Sequence, residues 1–378
     1  MEILKAATER AAQGARVYHM ETGEPGSGAP EGVLAAARAA LAETKIGYTE
    51  AHGVTALRER IAGFYGERYG FSPALERVVV TTGGSAGLIL AFLAAFDVGD
   101  RVALANPGYP AYRNTLLALG LEPVLLPTSA ETRFQPTVAM LEALERSERP
   151  VRGLVVASPS NPTGTMLPRR ELEAVAAFCD GRGIRVVSDE IYHGITYGEP
   201  AASVAGFSES AVVINGFSKY FAMTGWRLGW MIVPDDLARA VERLAQNLFI
   251  SPPSLSQRAA LAAFDCRDEL EANVARYARN REIVQRALPA AGFGALAPCD
   301  GAFYAYADVS GLSDDSEAFC RRMLAECGVA ATPGIDFDTE RGRVFVRFSY
   351  AGATDEVEAA CAALGRWLAP GRLSATSS

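Results

Sequence analysis

The chain has 378 residues, of which 49% are hydrophobic and 21% are charged, which excludes a disordered chain and leaves length for one large or two ordinary domains. Its formal net charge of -8 argues against a protein that binds duplex nucleic acid through a basic face. The longest apolar run, Leu88 to Phe96, is too short to cross a bilayer, and the N-terminal residues lack the apolar core of a signal peptide, so we expect a cytoplasmic protein without a membrane partner.

The predicted elements begin with a Gly- and Pro-rich loop at Gly23–Pro30 and a helix at Glu31–Glu43. Short β-branched runs then alternate with stretches whose apolar residues recur every three or four positions. Continuous apolar strands that alternate with helices are typical of a mostly parallel sheet covered on both faces, an α/β domain. The predicted strands are Arg77–Thr82, Arg101–Ala105, Pro123–Leu126, Gly153–Ser158, Ile184–Asp189, Ala211–Ile214 and Leu228–Val233.

After about Pro234 the pattern changes. Helical stretches dominate Asp235–Leu288, and the following segment mixes strands with helices, which predicts a smaller α+β domain. Its predicted elements are strands at Ala302–Tyr306 and Arg343–Tyr350 and helices at Ser316–Cys327 and Thr354–Leu368. The six cysteines form no C-x-x-C pair and only three histidines are present, so we expect buried thiols and no histidine-rich metal site.

Polar residues follow several predicted strands at the point where each strand ends. In an open parallel sheet, ligands bind outside the carboxyl ends of the strands, so these residues are candidates for one site. Each motif alone has an ordinary explanation as a turn or a helix cap, whereas five at one edge favour a function. They are the segment GGSAG at 83–87, Asn106-Pro107-Gly108-Tyr109, Asn161-Pro162-Thr163-Gly164, Asp189 with Tyr192, and Lys219.

The segment GGSAG fits two chemistries. As a glycine-rich turn before a helix at Ala86–Phe96, it offers backbone N–H groups and a positive helix end to a phosphate. It also fits the G-x-S-x-G nucleophile elbow of serine hydrolases, with Ser85 as the nucleophile. Only His193 follows Ser85 as a candidate base, four residues after Asp189, which is a poor position for a catalytic histidine. The hydrolase is therefore a remote alternative.

The use of lysine draws attention to Lys219. Of the 36 basic residues, only Lys5, Lys45 and Lys219 are lysine, so an ordinary surface role explains this lysine less well than usual. An amine that condenses with an aldehyde must lose its proton, which arginine does not do at ordinary pH. A phosphate site at Gly84–Ala86 and Arg227, an aldehyde partner for Lys219 and a carboxylate at Asp189 together meet the requirements of pyridoxal phosphate.

These residues resemble a known family, the class I/II pyridoxal-phosphate-dependent aminotransferases of fold type I, also called the aspartate aminotransferase superfamily. The resemblance runs in the family's order from about residue 18 to 350. It implies a large domain at 46–280 with a mostly parallel seven-stranded sheet between helices, and a smaller α+β domain built from residues 1–45 and 281–378. The matching segments are YTEAHG, TTGGSAG, NPGYPAY, SPSNPTG, SDEIYHGI, FSKYFAMTGWRLGW, GAFYAY and VRFSYA.

The resemblance implies roles around the cofactor ring. Lys219 matches the lysine that holds the cofactor and moves the proton at the substrate's Cα. Asp189 corresponds to the carboxylate that keeps the pyridine nitrogen protonated. Asn161 and Tyr192 match the donors to the phenolic oxygen, and Tyr109 occupies the position that stacks on the ring.

The resemblance also implies roles at the phosphate. Gly84, Ser85 and Ala86 lie at its phosphate loop, and Arg227 matches its arginine. Tyr48 matches a tyrosine that reaches the phosphate of a neighbouring subunit, which implies a homodimer with shared active sites.

Further matches concern the substrate. Arg347 matches the arginine that binds the α-carboxylate, with Gly23 and Asn161 beside it. The chain also departs from the family, because many relatives carry a phosphate-binding serine where this chain has Gly216, and Ser218 is a candidate replacement.

The resemblance implies a transaminase that moves an amino group between an L-amino acid and a 2-oxo acid by ping-pong exchange. A C–S β-lyase on the same scaffold is the alternative. A non-catalytic regulator would need a DNA-binding segment, and we expect none ahead of residue 18. The sequence does not name the amino acid.

Overall fold

The computed structural model describes residues 2–43, 45–146 and 149–369. Over this part of the chain, no helix combines the length and the apolar composition that a membrane span requires. The helices are α1 (Glu2–Ala12), α2 (Glu31–Glu43), α3 (Thr55–Tyr69), α4 (Gly83–Ala95), α5 (Pro110–Ala118), α6 (Val138–Glu145), α7 (Arg169–Arg182), α8 (Asp235–Phe249), α9 (Ser254–Ala260), α10 (Arg267–Ala290), α11 (Ser316–Cys327) and α12 (Thr354–Trp367). The strands are β1 (Tyr18–His19), β2 (Val78–Thr81), β3 (Arg101–Asn106), β4 (Glu122–Pro127), β5 (Gly153–Ala157), β6 (Arg185–Asp189), β7 (Val212–Gly216), β8 (Gly229–Ile232), β9 (Tyr304–Asp308), β10 (Val329–Ala330), β11 (Thr332–Pro333) and β12 (Phe345–Ser349).

A seven-stranded sheet forms the centre of the molecule, in the order β2-β8-β7-β6-β5-β3-β4. Strand β8 is antiparallel to both of its neighbours, and the other pairs are parallel. The predicted α/β class with a mostly parallel seven-stranded sheet is confirmed, and each predicted strand is present within two residues of its expected bounds. Strands β2, β6 and β7 are buried along most or all of their length, because helices cover both faces of the sheet.

The rest of the chain forms smaller sheets. Strands β11, β12 and β9 make an antiparallel sheet, and β1 pairs in parallel with β10, which joins the two ends of the chain. Helix α10 passes through the predicted boundary at residue 280 and packs on α12, whereas α2 packs on α9. The division into 46–280 and 1–45 with 281–378 stays a prediction, and its residues 1, 44, 147–148 and 370–378 lie outside the described residues.

The topology brings the candidate residues together. Asp189 ends β6, Gly216 ends β7, and α4 begins two residues after β2. Because these strands are parallel, their carboxyl ends meet at one edge of the sheet. Strand β12 brings Arg347 to the same edge from the smaller sheet.

Candidate active site

A cleft of about 1030 Å³ opens at this edge of the sheet. Eleven of the predicted site residues line it, and two do not. Ala86 is buried in the first turn of α4, and Tyr48 is 84% exposed outside the cleft. The lining residues are Gly23, Gly84, Ser85, Tyr109, Asn161, Asp189, Tyr192, Ser218, Lys219, Arg227 and Arg347.

Lys219 lies three residues beyond β7, with its ammonium group inside the cleft. Its Nζ donates a hydrogen bond to the carbonyl oxygen of Gly23 at 2.6 Å. Burial, and then the positive charge of Arg347, lower the pKa of Lys219 to about 8. The side chain therefore has a substantial neutral fraction near physiological pH, as a nucleophile or a base requires.

The close approach of Gly23 to the cleft depends on its missing side chain. A Cβ atom at this position would lie 2.0 Å from the Tyr304 hydroxyl oxygen, well inside contact distance. Because residue 23 is glycine, its backbone can pack against the Tyr304 hydroxyl while its carbonyl oxygen accepts the hydrogen bond from Lys219.

Asp189 presents a buried carboxylate on the floor of the cleft. Its Oδ2 accepts a hydrogen bond from the Tyr112 hydroxyl at 2.6 Å, and its Oδ1 accepts one from the Ile191 amide at 3.1 Å. Burial raises the pKa of Asp189, and the hydrogen bonds from Tyr112 and Ile191 oppose that shift. Tyr109 stands beside this pair, with its ring edge-on to Tyr112 at 5.4 Å between centroids.

Tyr192 and Tyr304 form a pair of hydroxyl groups on another wall of the cleft. Their oxygens are 2.8 Å apart, and their rings meet edge to face. Burial raises the pKa of Tyr192 well above its ordinary value, so its hydroxyl stays protonated and can act as a donor.

Arg347 carries a buried positive charge. It donates hydrogen bonds to Asn161 Oδ1 at 2.9 Å, to the Glu21 carbonyl at 2.5 Å and to Thr332 Oγ1 at 3.0 Å. Its Nε is buried without a hydrogen-bond partner among the described residues. None of the three acceptors is a carboxylate, and a buried cation of this kind favours an anionic ligand.

The turn into α4 forms a second place for an anion. Gly83 has φ +77°, and a Cβ atom there would lie 2.8 Å from Arg227 Nη2, so the guanidinium group lies directly against the turn. Gly84 and Ser85 follow in the first turn of the helix, whose N–H groups have no acceptor within the helix. The positive N-terminal end of α4 and the guanidinium group of Arg227 together suit a phosphate group.

The model of the family "Aminotransferase class I and II" matches residues 17–364. The chain belongs to this family. It is an aminotransferase, so the prediction of a transaminase is confirmed as a class of activity.

Relatives of known sequence and structure agree with the family. A "Valine--pyruvate aminotransferase" of Mycobacterium tuberculosis is 51% identical over 372 residues, which cover 97% of this chain and 95% of that protein. A crystal structure of an aminotransferase from Mycobacterium tuberculosis superposes with a TM-score of 0.95 at 51% identity, with 97% and 95% of the two chains covered. Aspartate aminotransferase from Thermus thermophilus with maleate reaches a TM-score of 0.90 at 32% identity, with the same coverage.

Membership of the aminotransferase family implies dependence on pyridoxal phosphate. The residues of the cleft fit that cofactor in kind. It needs an amine of lowered pKa, a buried carboxylate, hydroxyl and amide donors, and a phosphate cradle, and this aminotransferase has all four in one cleft.

The structure does not offer His193 as a catalytic base for Ser85, as the hydrolase hypothesis requires. His193 Nδ1 lies 2.7 Å from the Tyr69 hydroxyl, and its Nε2 lies 2.9 Å from the Ser158 carbonyl oxygen. Both ring nitrogens are therefore engaged away from Ser85, and burial lowers the pKa of His193 to about 3.

Sequence reasoning missed several residues of the cleft. Tyr112 contacts Asp189, Tyr304 contacts Tyr192, and the Glu21 carbonyl contacts Arg347. Tyr112 and Tyr304 lie inside the segments NPGYPAY and GAFYAY, but the family resemblance assigns no role to these two positions. A backbone carbonyl such as that of Glu21 leaves no signal in the sequence.

Proposed function

We propose that this aminotransferase exchanges an amino group between an aliphatic L-amino acid, with valine as the model substrate, and pyruvate. The single observation that supports the chemistry best is the buried Lys219 amine, which shares one cleft with Asp189 and Arg347. The substrate class follows from the relative named "Valine--pyruvate aminotransferase", which shares 51% identity over nearly the whole chain.

The lining of the cleft supports an aliphatic substrate. Ile3 and Leu4 from α1, with Ile335 and Phe337 from the segment after β11, contribute apolar surface. An aliphatic side chain gains free energy on such a surface, at about 25 cal/mol per Å² buried. A charged side chain would lose hydration there unless it found a partner.

Pyridoxal phosphate, when bound, supplies an aldehyde and a ring that withdraws electrons from the substrate's Cα. We propose that Lys219 holds it, that Asp189 keeps the ring nitrogen protonated and that Tyr109 covers one ring face. Asn161 and Tyr192 donate to the phenolic oxygen.

The same proposal assigns the phosphate to the turn into α4. The backbone of Gly84, Ser85 and Ala86 donates to the phosphate, Arg227 pairs with it, and Ser218 adds a hydroxyl group. Ser218 is buried beside Lys219 and lines the cleft, which supports this use of its side chain.

The substrate's carboxylate is assigned to Arg347, with Asn161 and the Gly23 backbone beside it. The Nε–H of Arg347 has no hydrogen-bond partner within the described part of the chain, so it can bind an anion without first breaking a hydrogen bond. Lys219 then removes a proton from Cα, a step for which a pKa near 8 suits a base.

We further propose that the working enzyme is a homodimer with Tyr48 reaching the partner's phosphate site. Tyr48 is exposed, and so are Ile46, Leu248 and Ile250. The Thr49 amide donates to Ser251 Oγ at 3.3 Å, which holds the two segments together as one exposed apolar surface. Such a surface is typical of a protein interface.

Half-transamination tests the proposal. The purified enzyme with bound pyridoxal phosphate is mixed with single L-amino acids without any 2-oxo acid, and the absorbance of the cofactor is followed. Valine should convert the cofactor to its amino form, and pyruvate should reverse the change. A C–S β-lyase would instead release sulfide or a thiol from a cysteine conjugate and keep the aldehyde form.

Arg113 provides a control for the substrate class. It also lines the cleft, and it would be the natural partner of an acidic substrate side chain. Arg113→Ala should leave the valine reaction within about threefold of the wild type. The proposal of an aliphatic substrate would be contradicted if the wild type preferred aspartate to valine and the Arg113→Ala variant lost that preference.

A further inference from the structure

Tyr112 lines the cleft beside Asp189. It belongs to α5, which begins right after Tyr109, and its side chain is 5% exposed. Its hydroxyl donates to Asp189 Oδ2 at 2.6 Å. The short distance and the full burial make this a charge-assisted hydrogen bond of the strong kind.

The two oxygens of Asp189 differ in their donors. Oδ1 accepts from the Ile191 amide, which belongs to the same turn and stays in place as long as the backbone does. Oδ2 depends on Tyr112, which is 77 residues away in sequence. The orientation of the carboxylate is therefore set by a side chain on a different element.

We propose that Tyr112 is a positioning residue for the reaction: its hydroxyl holds Asp189 ionised and oriented so that the carboxylate keeps the ring nitrogen of the cofactor protonated. The inference rests on the proposed role of Asp189 and adds Tyr112 as a residue that acts through the Asp189 carboxylate. The Asp189 carboxylate and the pyridine nitrogen compete for one proton. A hydrogen-bond donor to the carboxylate stabilises its ionised form, so the proton stays on the ring nitrogen.

Charged and titratable groups surround Asp189 from several elements, and Tyr112 is the one whose side chain donates to the carboxylate among the described residues. Lys219 approaches from the segment after β7 and favours the ionised carboxylate. Glu190 is the neighbouring acid, and burial raises its own pKa to about 8. The Tyr109 and Tyr192 hydroxyl groups also interact with Asp189, and they stay protonated because burial raises the pKa of each.

The test is Tyr112→Phe in the enzyme loaded with pyridoxal phosphate labelled with ¹⁵N in the ring. The ¹⁵N chemical shift reports directly whether the ring nitrogen carries its proton, and a merely structural residue would not move it. We expect a protonated nitrogen in the wild type and a shift toward the neutral form in the variant. The kcat of half-transamination should fall about 10- to 100-fold with little change in KM, since one hydrogen bond to a charged group is lost.

Tyr65→Phe is the matched control. Tyr65 is also fully buried, and its hydroxyl accepts a hydrogen bond from Trp230 Nε1 at 3.2 Å, away from the cleft. This variant should lose stability without changing the ¹⁵N shift. An equal shift in Tyr65→Phe, or no shift in Tyr112→Phe, overturns the inference.

Asp189→Asn separates the inference from the function on which it rests. Adding Tyr112→Phe to Asp189→Asn should change the ¹⁵N shift no further, because the carboxylate through which Tyr112 acts is gone. A further shift in the double variant overturns the inference. A ring nitrogen that is unprotonated in the wild type overturns the role of Asp189, and the role of Tyr112 with it.

Discussion

At the scale of single residues, the chemistry depends on one lysine in a chain whose basic residues are nearly all arginine. Lys5 is a solvent-exposed lysine 3.9 Å from Glu9 on the same helix. Lys219 is enclosed by the cleft and lies near Arg347, and both conditions lower its pKa. Arginine would keep its charge in the same place, so it could neither condense with an aldehyde nor remove a proton.

The pH dependence of cofactor binding follows from this lowered pKa. The protonated amine does not react, so the reactive fraction of Lys219 rises as the pH increases through about 8. We expect the rate of pyridoxal phosphate incorporation into cofactor-free protein to level off above about pH 9. Stopped-flow absorbance at a series of pH values measures it. A rate that keeps rising through pH 10 would indicate a lysine of ordinary pKa.

Substitution of Arg347 should act mainly on substrate binding. Arg347→Lys keeps the charge but loses the planar pair of donors, so we expect KM for the amino acid to rise about 10- to 100-fold. The control is Arg321→Lys at the cleft mouth, where the arginine pairs with Glu2 at 3.1 Å. Steady-state kinetics on both variants distinguish them, and an unchanged KM for Arg347→Lys would remove Arg347 from the substrate site.

How much of the site can be predicted depends on where the signal lies. Lys219, Asp189 and Arg347 stand out because an amine, a buried acid and a buried arginine are unusual after or within apolar runs. Tyr112 is an ordinary aromatic on a helix, and its partner is 77 residues away, so its contact appears only in three dimensions.

At the scale of elements, most strands of the sheet are readable because they are short, apolar and buried on both faces, as in β2, β5 and β7. The sequence pattern gives no bounds for the helices α1, α3, α5 and α6. Helix α3 buries Leu57, Ile61 and Tyr65 at helical spacing, but two arginines, a glutamate and a glycine between them weaken the pattern. Helix α5 begins with a proline that reads as part of the preceding turn.

The approach of β8 to the turn before α4 yields a prediction about phosphate binding. A Cβ atom at Gly229 would lie 2.8 Å from the Asn215 carbonyl oxygen on β7 and 2.9 Å from backbone atoms of Gly83 and Gly84, so Gly229→Ala pushes β8 against both β7 and the turn. We expect the affinity for pyridoxal phosphate to fall by about tenfold or more, while the weaker affinity for pyridoxal, which lacks the phosphate, stays the same. Titration followed by absorbance measures both.

Gly181→Ala is the control for that experiment. Gly181 lies within α7, and a Cβ atom there would meet nothing within 4 Å. This variant should bind both forms of the cofactor as the wild type does. Equal losses for pyridoxal and pyridoxal phosphate in Gly229→Ala would show general damage to the fold, and would count against a phosphate site at this turn.

At the scale of the whole molecule, the cleft joins distant parts of the chain. Arg347 contacts the carbonyl of Glu21 across 326 residues, and Lys219 contacts that of Gly23 across 196. Periodicity reveals single elements and cannot reveal such contacts. The family resemblance supplied the order of the motifs, and the sheet topology then brings them to one edge.

The homodimer proposal predicts a change in assembly. Leu248→Asp places a charge on the exposed apolar surface of Ile46, Tyr48, Leu248 and Ile250, and we expect it to shift the protein toward monomers with lowered activity. Val98 is 84% exposed outside this surface, so Val98→Asp is the matched control and should keep the dimer. Light scattering after size-exclusion chromatography measures both, and a dimeric Leu248→Asp variant would place the interface elsewhere.

The central claim is that Lys219 holds the cofactor, and chemical reduction tests it most directly. The enzyme with bound pyridoxal phosphate is treated with borohydride, digested and mapped by mass spectrometry. We predict one modified lysine, Lys219, with Lys5 and Lys45 unmodified. A label on either of those lysines, or a Lys219→Ala variant that still performs half-transamination at the wild-type rate, would contradict the account.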